Sequence, residues 1–165
     1  MKTFLFLILT ISNFMTITPS FAGNSSGGGG TIVSSRFVAH GEFALQILKY
    51  GLEELTQEKI DKVINETKVF DVEQLCYQDH NNGQINCLDA KYSSELGQID
   101  FSRKSWDNSN CKEKLALSAH EYLRALGIEG SNYKYSYTLI SGKITNDFRT
   151  NDALVREIGT WCRNL

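Results

Sequence analysis

His120, Glu121 and Arg124 lie close together in the stretch Leu115 to Gly130, which reads LALSAHEYLRALGIEG. An imidazole can offer a lone pair to a metal or take up a proton. A carboxylate can draw a proton from water, and a guanidinium supplies a fixed positive charge. Those chemistries combine only if a helix holds the three together. Leu115, Ala119, Tyr122, Leu123 and Leu126 recur at helical spacing and predict one buried stripe. His120, Arg124 and Gly127 then fall on a neighbouring face with Glu121 beside them, because residues three and four apart stack along a helix. Asn110 followed by Glu113 predicts a capping box at the start, and Gly127 or Gly130 ends the helix through a left-handed turn.

The His-Glu pair on a helix resembles the zincin metallopeptidase motif, His-Glu-x-x-His. There, two histidines one turn apart ligate zinc and the glutamate activates the bound water. Gly127 matches the glycine that follows the motif in one zincin branch. Arg124 stands where the second histidine would be, and Gly130 where the third ligand of that branch would be. Arginine stays protonated and has no lone pair to give, so the resemblance is to a degenerate zincin helix. The segments FSRKSW and HEYLRALGIEGSNYKYS, a glycine-rich start and four cysteines also resemble uncharacterised secreted bacterial proteins with a His-Glu-x-x-Arg helix. This second resemblance covers roughly the segment 98 to 140 and implies no established activity. Arg124 can occupy the electrostatic slot of the metal, pairing with Glu121 and with Glu129 to leave a metal-free polar cleft. The expected cofactor is therefore none, with zinc the alternative.

Plainer readings stand beside these. His120 can be a hydrogen-bonded, half-buried histidine, and Glu121 with Arg124 a helix-surface ion pair. Arg124→Ala would cost roughly 3 kcal/mol or more if it broke a buried network, and a few tenths if it broke a surface pair. His80 decorates a hairpin tip and His40 the start of a helix. Glu157 could imitate a ligand supplied by a later helix, although a solvated face suits it better. Tyr133, Tyr135 and Tyr137 could form a ledge for a peptide or glycan, or a half-buried strand face. Asn65-Glu66-Thr67 matches a glycosylation acceptor, and Gly27 to Gly30 lacks the lysine-serine ending of a phosphate loop.

The elements that position these residues follow in order. Thr31 to Val38 reads as a strand or extended lead-in. Residues 41 to 54 predict an amphipathic helix from Phe43, Ala44, Ile47, Leu48, Leu52 and Leu55, with Gly51 marking close packing. Gln57 to Glu66 predicts a second helix capped by Thr56, with Ile60, Val63 and Ile64 inward. Val69 to Tyr77 and Asn86 to Tyr92 read as hairpin arms, and Gln98 to Phe101 as a third strand. Tyr133 to Leu139 alternates like one more extended segment. Leu154, Ile158, Trp161 and Cys162 form the stripe of a closing helix begun by Thr150 or Asn151. The order predicts an α+β fold in one domain over residues 31–165.

The four cysteines allow three pairings. Asn82-Gly83 is a hairpin signal, and a four-residue loop there sets Cys76 opposite Cys87, the geometry of a cross-strand bridge. Cys111 and Cys162 then pair by elimination. Disulfides suit an exported chain. Residues 1–22 carry Lys2, an apolar run and a Ser20-Phe21-Ala22 end, the pattern of a removed signal peptide. Residues 23–30 read as a flexible glycine- and serine-rich leader. The run before the leader is short for a bilayer, so no stable membrane span is expected after its removal. A net charge of −2 argues against nucleic acid as a partner. The expectation is thus an exported domain, periplasmic or secreted. Its role is non-catalytic binding or structure, with an unknown protein, peptide or glycan as ligand. The alternative is a zinc-dependent peptidase or hydrolase with an unusual ligand set, built on His120, Glu121 and Arg124.

Overall fold

The structure is a computed structural model that describes residues 30–79, 83–141 and 152–164. The expected signal peptide, nearly all of the leader, His80, and Thr150 or Asn151 as helix start lie outside the described residues. What is described is a small α+β domain with helices at both ends, a small sheet and two disulfides.

Helix α1 spans Ile32–Leu48 and overturns the strand expected over Thr31 to Val38. Thr31 caps it by accepting from the Ser34 amide, while the Asp71 carboxylate binds the hydroxyls of both Thr31 and Ser34. That clamp, together with Phe37 stacked on Phe101 at 4.5 Å, outweighs the strand preference of Thr31, Ile32, Val33 and Val38. The helix ends at Leu48, short of the expected 54, in a turn where the Tyr50 and Gly51 amides reach the carbonyls three residues back. Close packing falls at Gly41 instead of Gly51. A Cβ on Gly41 would sit 2.3 Å from a ring carbon of Tyr122. Helix α2, Gln57–Glu66, is capped by Thr56 and buries Ile60 and Val63, as the pattern predicts.

The expected long hairpin arms divide. Strand β1 (Lys68–Val72) runs parallel to β5 (Gln98–Ser102), which pairs antiparallel with β4 (Ala90–Ser93) on its other side. Only β2 (Leu75–Gln78) and β3 (Ile85–Leu88) form the hairpin, with Cys76 opposite Cys87. Gly83, at φ 71°, supplies its left-handed turn. Ile99 and Phe101 face the helices from the middle strand and are fully buried. A short helix that periodicity did not reveal, α3 (Arg103–Asn108), follows at once; Ser102 caps it and it buries Trp106.

Helix α4 spans Cys111–Ala125 and opens with the expected capping box between Asn110 and Glu113. Gly127, at φ 70°, ends it, and the Ile128 amide reaches back to the Leu123 carbonyl. The extended segment expected over Tyr133 to Leu139 is absent. Turns lead instead into α5 (Thr138–Ser141), with the Tyr137 amide bonded to the Tyr133 carbonyl. Helix α6, Asp152–Arg163, closes the fold, and Cys162 reaches Cys111 at the start of α4. Among the described residues no helix is long and apolar enough to cross a membrane.

Candidate functional site

Helix α4 lies between α1 and strand β4, so it is buried on more than one face. Every residue from Leu115 to Leu123 is buried. His120 and Glu121 therefore do not lie on a surface: they are 3% and 1% exposed. A buried charge or imidazole costs free energy unless it is paired, and the pairing defines the site.

His120 Nδ1 lies 2.9 Å from Glu129 Oε2, across the turn made by Gly127. The other oxygen of Glu129 accepts from two amides, Tyr135 at 2.6 Å and Ser136 at 3.1 Å. Those two bonds bend the chain where the tyrosine alternation suggested a strand. The Tyr133 ring lies flat on the His120 imidazole, 3.8 Å between centroids and 13° between planes. The segment 129–136 is thus held to α4 through both the edge and the face of one histidine.

Glu121 turns toward the sheet. Its Oε2 accepts the Tyr92 amide of β4 at 2.6 Å and lies 3.4 Å from Arg124 Nη1. Its Oε1 stands 3.9 Å from His120 Nε2. The structure thus brings His120, Glu121 and Arg124 together, but Glu129 bonds to His120 and not to Arg124. Arg124 is at the rim, its side chain 35% exposed.

The two carboxyls are driven apart electrostatically. Burial pushes the Glu121 carboxyl up, against the pull of His120, Arg124 and the Tyr92 amide. Burial also works against ionised Glu129, but the hydrogen bonds from His120, Tyr135 and Ser136 outweigh it and hold that carboxyl below its ordinary value.

Zinc takes nitrogen and oxygen at about 2.0–2.1 Å, so tetrahedral neighbours stand ~3.3 Å apart. His120 Nε2 and Glu121 Oε1 are 3.9 Å apart. Among the described residues no three His, Cys, Asp or Glu side chains converge as a metal would require.

The remaining candidates scatter. His40 is a core histidine. Its Nδ1 bonds the Arg36 carbonyl at 2.7 Å, its ring meets Trp106 and Trp161 edge-on, and burial lowers its pKa. Glu157 is exposed on α6. Tyr133 and Tyr137 are exposed, whereas Tyr135 packs half-buried against the core, so the three do not share one ledge. Two parts of the site escaped the spacing argument. The His120–Glu129 bond crosses a turn, and its one available sign was an acidic residue just beyond a helix-ending glycine. The Tyr92 amide is backbone and leaves no mark in side-chain identity. No known protein family, curated protein or solved structure matches the chain.

Proposed function

We propose that this chain is an exported, non-catalytic binding domain. In this reading its degenerate zincin-like helix has exchanged metal ligation for a polar bracket that shapes the surface over 129–137. The observation that carries the reading is the use made of Glu129: both of its oxygens are occupied, one by His120 and one by the amides of Tyr135 and Ser136. The imidazole edge that bonds Glu129 orders a loop. Arg124 places a fixed cation against Glu121, where a zincin would have its metal. The bracket presents the exposed Tyr133, whose hydroxyl feels the charge of that guanidinium, a surface suited to a protein, peptide or glycan. The two disulfides suit an oxidising compartment, periplasmic or extracellular.

The test is the metal content of the mature protein, purified without added metal, together with its peptidase activity before and after chelation. Zinc should be far below one equivalent, and chelation should change neither the fold nor any activity. Zinc near one equivalent that is lost in His120→Ala would reject the reading and support a zinc-dependent hydrolase with an unusual ligand set.

A further inference from the structure

The two disulfides stand in different surroundings. Cys111 and Cys162 are half-buried and pack against the hydrophobic core. Cys76 and Cys87 are both exposed, and among the described residues no member of β2 or β3 belongs to that core or packs against it. The two strands pair with each other and not with the three-stranded sheet. Backbone bonds tie the hairpin to the domain at its base. There the Glu73 carbonyl accepts from the Lys104 amide at 3.3 Å, and the Asp89 carbonyl from the Ser102 amide at 2.8 Å.

A two-stranded hairpin with four residues in each strand is marginally stable in water by itself. The bridge supplies what packing does not, holding Cys76 opposite Cys87 and restricting the open chain. The hairpin also bounds a cleft of about 360 Å³, which Leu75, Cys87 and Leu88 line together with Ser105 and Asn108 of α3. Thiol–disulfide exchange begins when a thiolate reaches a sulfur, so access decides which bridge reacts. The accessible bridge is the one that holds the hairpin.

We infer that Cys76–Cys87 is a thiol–disulfide exchange site: its reduction by a dithiol frees the hairpin wall of the cleft while Cys111–Cys162 keeps the fold. One thiolate of the dithiol attacks Sγ of either cysteine, forming a mixed disulfide and expelling the other cysteine as thiolate. The second thiol of the reductant, once deprotonated, displaces the remaining cysteine. Two electrons and two protons pass to the cysteine pair, and the reductant leaves as a disulfide. An oxidised dithiol reverses each step and closes the hairpin again. This device does not depend on what the polar bracket binds.

The experiment treats the folded protein with increasing dithiothreitol, blocks free thiols with iodoacetamide and locates them by peptide mass mapping. Cys76 and Cys87 should be alkylated about tenfold faster or more than Cys111 and Cys162. Hydrogen exchange on the partly reduced protein reads the consequence. Amides bonded across β2 and β3 should exchange about tenfold faster or more, whereas those of β5 and α4 stay protected. Cys76→Ser with Cys87→Ser should reproduce that faster exchange without reductant; should this variant fail to fold, the graded reduction decides alone. Two results would overturn the inference. One is Cys111 and Cys162 opening before Cys76 and Cys87 or together with them. The other is hairpin amides that keep their exchange rates in the reduced protein or in the folded double variant.

Discussion

Glu129 is bonded by one imidazole and two amides inside the protein, whereas Arg124 touches its partner at 3.4 Å with a third of its side chain in water. The two residues therefore contribute unequally. Glu129→Ala strands His120 and the amides of Tyr135 and Ser136, the latter buried, and should cost roughly 2–4 kcal/mol in equilibrium unfolding. Arg124→Ala removes a long, half-solvated contact and should cost about 1 kcal/mol or less. A double-mutant cycle with Glu121→Gln should show coupling below ~1 kcal/mol. Coupling of several kcal/mol would mean that Arg124 is a buried member of the network.

The carboxyl shifts set the pH dependence at the same scale. Glu129 is held below its ordinary 4.5, so its contribution is complete above that value and is lost as pH falls through its folded value. Asp71 behaves alike. Burial opposes its ionisation, but Thr31, Ser34 and Arg103 outweigh burial and bring it to about 2, so its contribution fades as pH falls from its ordinary 3.8 toward 2. Glu121 has the opposite sign: it is raised, so its contribution declines as pH climbs from 4.5 toward the folded value. Unfolding followed between pH 5 and pH 2 should show wild-type stability falling, and Asp71→Asn should flatten the lower part of that fall. An unchanged slope in Asp71→Asn would refute the clamp. The grouping of His120, Glu121 and Arg124 is legible in helical spacing. Their burial is not, because it depends on α1 and β4 arriving from elsewhere in the chain.

Local signals decide the elements, and they fail where a distant contact intervenes. The Asn110–Glu113 capping box and the hairpin register at Cys76 and Cys87 are local, and both are present. The parallel pairing of β1 with β5 joins Lys68 to Gln98 across the hairpin and β4, so no local pattern encodes it. The start of α1 depends in the same way on Asp71, and the bend after Gly130 on Glu129. One feature of α1 is open to a sharp test. Its contact with α4 is made at Gly41, where an added methyl would enter the Tyr122 ring. Gly41→Ala should destabilise by about 2 kcal/mol or more through overpacking, although alanine favours a helix by up to ~1 kcal/mol. A neutral or stabilising result in urea unfolding would show that α1 and α4 do not approach so closely.

At the scale of the whole molecule, the disulfides join what the core alone would hold less firmly. Cys76–Cys87 closes the hairpin, and Cys111–Cys162 ties the start of α4 to α6, closing a loop of 51 residues. The longer loop restricts the unfolded chain more, so Cys111→Ser with Cys162→Ser should cost roughly 3–4 kcal/mol in urea unfolding. Both pairings are legible from cysteine spacing because one hairpin signal fixes the first pair and leaves only the second. The core gathers Phe37, Phe101 and Trp106 from three separate elements beside Tyr122 of α4. Helix α4 thus serves as the hub of the core and as the carrier of the polar bracket, and a metal at His120 would have to break the His120 and Glu121 contacts or add to them. Thermal unfolding of the wild type and His120→Ala over a zinc titration tests this most directly, since any ligand that binds the folded state raises its stability by mass action. The expected result is a wild-type midpoint indifferent to zinc. A midpoint that climbs with zinc in the wild type and not in His120→Ala would contradict the metal-free bracket.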